Sequence, residues 1–177
     1  MFAVMADLLT LSRLIAAGIL FWLGLQGPQT LTLAIVVCVL GWTTDQLDGW
    51  AARRATTPTR LGAADFVIDA VLYAATLAYL ALTGYLPRIP VMAFVCVALA
   101  ASLAFRRKAV AIVFVRLIDL ACFVIIFRYR PLAGGLLLLW LALTAVIYRR
   151  RLAERVPPWV RELIQLAGLR RSHRGEM

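Results

Sequence analysis

The chain has 177 residues, 63% of them hydrophobic and 16% charged, with a mean hydropathy of +0.88. A soluble domain averages roughly 45–50% apolar and about 25% charged residues. The excess excludes a soluble globular protein, a disordered chain and a disulfide-rich secreted module. About 20 apolar residues cross a bilayer, so a chain of 177 residues has room for about six crossings with short loops.

In chain order, the first apolar run is about Leu8–Leu25, broken only by Thr10, Ser12 and Arg13. Gln26–Thr30, with Gly27 and Pro28, turns the chain back. The second run begins at Leu31, is apolar to Trp42 apart from Thr32, and continues through Thr43–Asp48 without a helix breaker before Gly49. A loop with Arg53, Arg54, Pro58 and Arg60 leads to a third run, about Leu61–Leu82, carrying Asp65 and Asp69 in its first turns. Gly84–Pro90 precedes a fourth run, about Val91–Phe105, and Arg106-Arg107-Lys108 separates it from a fifth, Ala109–Phe127, containing Arg116 and Asp119. After the break at Arg128–Pro131 comes a sixth run, about Leu132–Tyr148. Only helices and closed barrels satisfy their backbone groups in lipid, and runs of this length predict an all-α integral membrane protein.

The predicted fold is a bundle of about six transmembrane helices over residues 1–148, followed by a basic cytoplasmic tail over 149–177. In the tail, Trp159, Val160, Leu163, Ile164 and Ala167 form one apolar stripe flanked by arginines, which predicts an interfacial helix on anionic lipid. Trp22, Trp42, Trp50, Trp140 and Trp159 fall mostly near run ends, as an aromatic belt does. His173 stands alone near the end of the chain and is read as solvated. Met1–Asp7 lacks the basic segment of a cleavable signal.

Nineteen basic residues against nine acidic ones give a net charge of +10, and Lys108 is the one base that is not arginine. With no soluble basic face available, this charge fits loops against an anionic leaflet rather than nucleic acid. With six spans and a cytoplasmic amino terminus, fourteen basic residues fall on the cytoplasmic side and three (Arg88, Arg128, Arg130) on the other. Both termini and the Asp45–Asp69 region are then cytoplasmic. Cys38, Cys96 and Cys122 lie in apolar stretches without metal-binding spacing and are read as packing residues.

Four of the nine acids fall between Asp45 and Asp69, at the cytoplasmic ends of the second and third predicted spans. Carboxylates at membrane depth cost several kcal/mol unless paired or coordinated, so a cation must compensate them. Asp45 and Asp48 are i,i+3 and share one helical face, which Gly41 and Ala52 extend with small residues. Asp65 and Asp69 are i,i+4, with Gly62 on the same stripe. A short loop makes the two helices antiparallel neighbours, so the pairs are expected to face each other as an oxygen-only cage. Such ligands favour Mg²⁺ or Mn²⁺, and Arg53, Arg54 and Arg60 beside it suit a phosphate. Metal, carboxylates and arginines at a phosphate are the equipment of phosphoryl transfer. Salt bridges to nearby arginines are the alternative reading of the acids.

The pattern Asp45-x-x-Asp48-Gly49-x-x-Ala52-Arg53, eight residues, Gly62, then Asp65-x-x-x-Asp69 closely resembles the signature of the CDP-alcohol phosphatidyltransferases. The opening Asp7-Leu-Leu-Thr-Leu-Ser-Arg13 is similar to the start of phosphatidylglycerophosphate synthases. The resemblance implies transfer of a phosphatidyl group from CDP-diacylglycerol to a small alcohol acceptor, with release of CMP, in the synthesis of phospholipids. It implies that Asp45, Asp48 and Asp65 hold metal, two Mg²⁺ or Mn²⁺ ions, and that Asp69 binds metal or acts as general base on the acceptor hydroxyl. Gly49, Ala52 and Arg53 would line the cytidine diphosphate site and Gly62 would leave space for the nucleotide. It further implies a homodimer, in a bacterial inner or plasma membrane. Two residues, Ala63 and Ala64, separate Gly62 from Asp65, where the family usually has three.

Arg106, Arg107, Lys108 and Arg116 are candidates for binding an acceptor that carries phosphate, and glycerol-3-phosphate is the expected acceptor. Phosphatidylglycerol, inositol phosphate and serine are the alternatives, as is a catalytically impaired scaffold of the same fold. The Gly-Lys-x-Lys-Thr pattern common before the fifth span of phosphatidylglycerophosphate synthases is absent. Arg116 and Asp119, i,i+3 within the fifth run, read equally as an ion pair. Arg13 reads as serving the same pocket or snorkelling to headgroups. A transporter is disfavoured because its charges tend to sit near the midplane on broken helices.

Overall fold

A computed structural model of the chain describes residues 2–52, 54, 61, 64–105 and 108–147. Six α-helices account for nearly all of them: α1 (Phe2–Gln26), α2 (Leu31–Ala52), α3 (Asp65–Leu82), α4 (Arg88–Phe105), α5 (Lys108–Tyr129) and α6 (Pro131–Ile147). A 3₁₀ turn at Pro28–Thr30 links α1 to α2, and the described residues include no strand. Among the described residues prolines fall outside helix interiors: Pro28 opens the 3₁₀ turn, Pro131 is the first residue of α6 and Pro90 lies in the first turn of α4, where a missing N–H costs nothing.

The first five helices are long and apolar enough to cross a membrane, and α6, at 17 residues, is a shorter apolar helix. The protein is therefore a multi-pass helical membrane bundle, as its composition predicts. The interfacial helix expected in 149–177 lies outside the described residues.

Helix α1 is the hub. It packs along both α2 and α3, whereas the backbones of α2 and α3 make few close approaches to each other. Helices α2 and α3 meet through side chains, Leu72 of α3 reaching Gly41 of α2, and α1 lies against both. Close approach of α1 to α3 depends on Gly24, where an added Cβ would come within 3.2 Å of the Tyr79 backbone and 3.1 Å of Leu82. The core runs through Ala17, Leu20 and Leu23 of α1, Ala34 and Ile35 of α2, and Leu72, Tyr79 and Leu80 of α3. Ile125, Ile126 and Leu137 close it from α5 and α6.

The reversal after α1 uses Gly27 at φ +105°, a conformation open to glycine. The Thr30 hydroxyl then donates to the Gly27 and Leu23 carbonyls at 2.8 and 3.0 Å.

Helix α3 starts at Asp65, later than the apolar run that begins at Leu61. Ala64 forms a turn by donating its N–H to the Leu61 carbonyl at 2.8 Å, and its own carbonyl accepts the first N–H groups of the helix. The Leu61 N–H is taken by the Asp7 carboxylate of α1 at 3.0 Å, which holds this segment against α1. Gly62 thus precedes α3, and it lies outside the described residues.

Candidate active site

Every aspartate of the expected cage stands on a helix end that its sequence can hold rigid. Asp45 and Asp48 lie one turn apart in the last two turns of α2, and Asp65 and Asp69 lie in the first two turns of α3. The structure brings all four together, but around a residue of α1. The Arg13 guanidinium pairs through Nη1 with Asp45 at 3.0 Å and with Asp69, and through Nη2 with Asp48 and Asp65. Arg13 is 0% exposed.

One turn before it on α1, Thr10 donates its hydroxyl to Asp48 Oδ2 at 3.1 Å. Asp7, Thr10 and Arg13 follow each other at i,i+3 spacing, and this strip meets the Leu61 backbone, Asp48 and the whole cluster in turn. Asp48 is the closed side of the site, nearly buried. The side chains of Asp45, Asp65 and Asp69 are one-third to one-half exposed, so the cluster opens toward its helix-end face.

Asp45, Asp65 and Asp69 each present a carboxylate oxygen within 4.8 Å of the others, an arrangement that could hold a metal ion. An all-oxygen anionic set of this kind suits a hard divalent cation, and the partial exposure leaves a path for one to enter. The residues fit the metal that the acids led us to expect.

Several sequence expectations change here. The cation that meets the acids in this structure is Arg13, from a helix 32 to 56 positions away, while the loop arginines were expected to suit a phosphate. Of those, Arg54 stacks on Trp50, its guanidinium carbon 4.1 Å from the ring centroid, and Trp50 in turn meets Phe2 edge-on at 5.9 Å. Arg53 and Arg60 lie outside the described residues. The space at Gly41 is filled by Leu72 of α3, 3.0 Å from where a Cβ would stand, so this glycine serves helix packing. Gly49 lies in α2 beside Asp48 and Ala52 ends that helix. Arg106 and Arg107 are outside the described residues, and Lys108 opens α5.

Arg116 pairs with Asp119 of its own helix at 2.7 Å. Arg116 is largely exposed and Asp119 nearly buried, at 63% and 14% of the side chain. Asp119 Oδ1 is buried without a hydrogen-bond partner and lines a small pocket with Trp42, Tyr73, Thr76, Cys38 and Cys122.

The sequence reading gave Thr10 no role and read Arg13 as serving the acceptor pocket or snorkelling to headgroups. Their signal was visible: they are the polar interruptions of an otherwise apolar first span, and with Asp7 they keep helical spacing.

Four carboxylates gathered at adjoining helix ends give the bundle one concentrated polar site. The family model of the CDP-alcohol phosphatidyltransferases matches residues 3–153, and the chain belongs to that family. It is an enzyme of the class that transfers substituted phosphate groups, moving a phosphatidyl group from a CDP-alcohol to an acceptor. No curated protein and no solved structure matches the chain.

Proposed function

We propose that the enzyme transfers the phosphatidyl group of CDP-diacylglycerol to glycerol-3-phosphate and releases CMP, at a divalent-metal site formed by Asp45, Asp48, Asp65 and Asp69. The observation that carries this reading is the convergence of all four signature aspartates, from two helices, on one small volume. Divalent cations held there, two Mg²⁺ or Mn²⁺, supply charge neutralisation at the donor's diphosphate.

The chain's own residues supply the rest. Asp69, one-third exposed, faces the open side and accepts the proton of the acceptor hydroxyl. The acceptor oxygen then forms a bond to the phosphorus that carries diacylglycerol. The bond from that phosphorus to the bridging oxygen breaks, and CMP leaves with that oxygen. Gly49, Ala52, Arg53 and Gly62 line the nucleotide in this reading, their small size and single charge suiting close approach of a cytidine diphosphate. Rigid helices fix the carboxylates, and positioning with charge neutralisation does most of the work in such a displacement.

Arg116, largely exposed on α5, is assigned to the acceptor's phosphate together with Arg106, Arg107 and Lys108. This basic set supports glycerol-3-phosphate, as does the opening Asp7–Arg13 segment with its likeness to phosphatidylglycerophosphate synthases. The positive-inside balance places the site and both termini on the cytoplasmic face, and the family likeness extends the proposal to a homodimer.

The test is CMP release by the purified protein in mixed micelles with CDP-diacylglycerol and Mg²⁺, acceptors supplied one at a time and EDTA as control. Turnover with glycerol-3-phosphate that EDTA abolishes is the expected result. Turnover with a different acceptor reassigns the substrate, and undiminished turnover in EDTA removes the metal site.

A further inference from the structure

Arg13 lies outside the aspartate signature, yet it makes more charged contacts than any other described residue. Its position raises a question of charge. Four carboxylates and one guanidinium leave the cluster strongly negative, and Arg13 stays protonated under all ordinary conditions. Two divalent cations would offset the four carboxylates completely. A guanidinium wedged among those same carboxylates competes with them for every oxygen it touches. Both Nη atoms of Arg13 are so engaged. Its Nε–H, by contrast, is buried and has no hydrogen-bond partner among the described residues, a donor that normally finds one. The guanidinium therefore fits its carboxylate partners incompletely and keeps a donor free for another acceptor.

We propose that Arg13 is an exchangeable counter-cation: it holds the four-aspartate cluster together before metal binds, yields the carboxylates to the divalent cations, and turns to the diphosphate of the donor. This rests on the reading of Asp45, Asp48, Asp65 and Asp69 as metal ligands. The exchange gives the residue two uses. Without metal, it keeps four like charges on two helices from driving those helices apart. With metal, it adds one positive charge to a neutralised cage, and its planar fork matches phosphate oxygens. Thr10 and Asp7, on the same strip of α1, keep that helix docked while the Arg13 side chain moves.

The experiment compares the full-length wild type with Arg13→Gln and Arg13→Lys in detergent. Melting is followed in EDTA and in Mn²⁺, Mn²⁺ binding by electron paramagnetic resonance, and CDP binding at saturating Mn²⁺ by calorimetry. Arg13→Gln is expected to melt below wild type in EDTA and to gain more from Mn²⁺ than wild type does. Removing the competing charge is expected to tighten its Mn²⁺ affinity about tenfold, and losing the phosphate ligand to weaken CDP about tenfold. Arg13→Lys keeps the charge but reaches fewer oxygens, and its Mn²⁺ affinity is expected to fall between the two.

Mn²⁺ affinity equal to or weaker than wild type in Arg13→Gln would overturn the exchange, and unchanged CDP affinity would overturn the turn to diphosphate. If Arg13→Gln folds in neither EDTA nor Mn²⁺, Arg13 is a fixed strut and the proposal fails. Absence of saturable Mn²⁺ binding in the wild type sinks the metal site itself, an outcome distinct from a wild type that binds Mn²⁺ and variants that match it.

Discussion

Two sets of charged residues lie within the bundle's helices, and they are built differently. Arg13 is wholly buried and joins three helices, its partners 32 to 56 residues away in the chain. Arg116 is largely exposed, and its partner Asp119 lies one turn along the same helix. The first cluster decides how α1, α2 and α3 sit together, because no helix can leave without stranding a buried charge. The second decides nothing about packing, since an i,i+3 pair on one helix survives any rearrangement of its neighbours. Charge inside a membrane protein therefore carries architecture where it is long-range and buried, and is free for ligands where it is local and open.

The largest expected effect tests whether the buried cluster is more than architecture. Asp69→Asn keeps the shape of the side chain and one acceptor oxygen, and leaves three carboxylates for Arg13. CMP release is expected to fall about a thousandfold, within the roughly 10²–10⁴ that general acid–base groups contribute, while the protein stays folded. Turnover within a few fold of wild type would take the base role from Asp69 and reduce the cluster to a structural knot.

Next in size is Thr10→Val, which removes the hydroxyl that donates to Asp48 Oδ2 with little change of shape. A ligand that loses its orienting partner typically loses about 10- to 100-fold in metal affinity. The Mg²⁺ concentration for half-maximal CMP release is expected to rise about tenfold, with maximal rate nearly unchanged. An unaltered Mg²⁺ curve would mean that Asp48 needs no orienting bond from Thr10. The contrast is with Asp119, whose Oδ1 has no partner to lose.

The acids of the long-range cluster were legible in the sequence because each pair is local. Asp45 with Asp48, and Asp65 with Asp69, keep helical spacing, and a short connection restricts where their helices can go. Arg13 was legible only as an oddity, because nothing in its surroundings along the chain says which distant helix it will meet. The sequence reading gave the compensating charge to a divalent metal and the loop arginines to a phosphate, and Arg54 lies on Trp50. The start of α3 was hidden for a similar reason. Leu61–Ala64 is as apolar as the helix that follows, and the end of the turn shows only once the Asp7 carboxylate is seen to hold the Leu61 N–H. The central place of α1 is also tertiary: Gly24 reads as one more small residue until Tyr79 is found against it. Six apolar helices, in contrast, were plain from composition, because lipid allows an exposed apolar run no other form.

The smallest effect belongs to the local pair. Arg116→Gln keeps a donor within reach of Asp119 and removes only the charge. For an i,i+3 pair on one helix the interaction is worth about 0.2–0.5 kcal/mol, and at this chain length that moves a melting temperature by roughly 1–2 °C. Arg116 is one of four bases assigned to the acceptor's phosphate, so the KM for glycerol-3-phosphate is expected to rise only about threefold to fivefold. KM for CDP-diacylglycerol should not move. A rise for the donor rather than the acceptor would place Arg116 with the buried cluster in function despite its separation in structure. A melting shift several times larger would show that the pair helps hold α5 in the bundle, and the division between architectural and available charge would then fail at its simplest case.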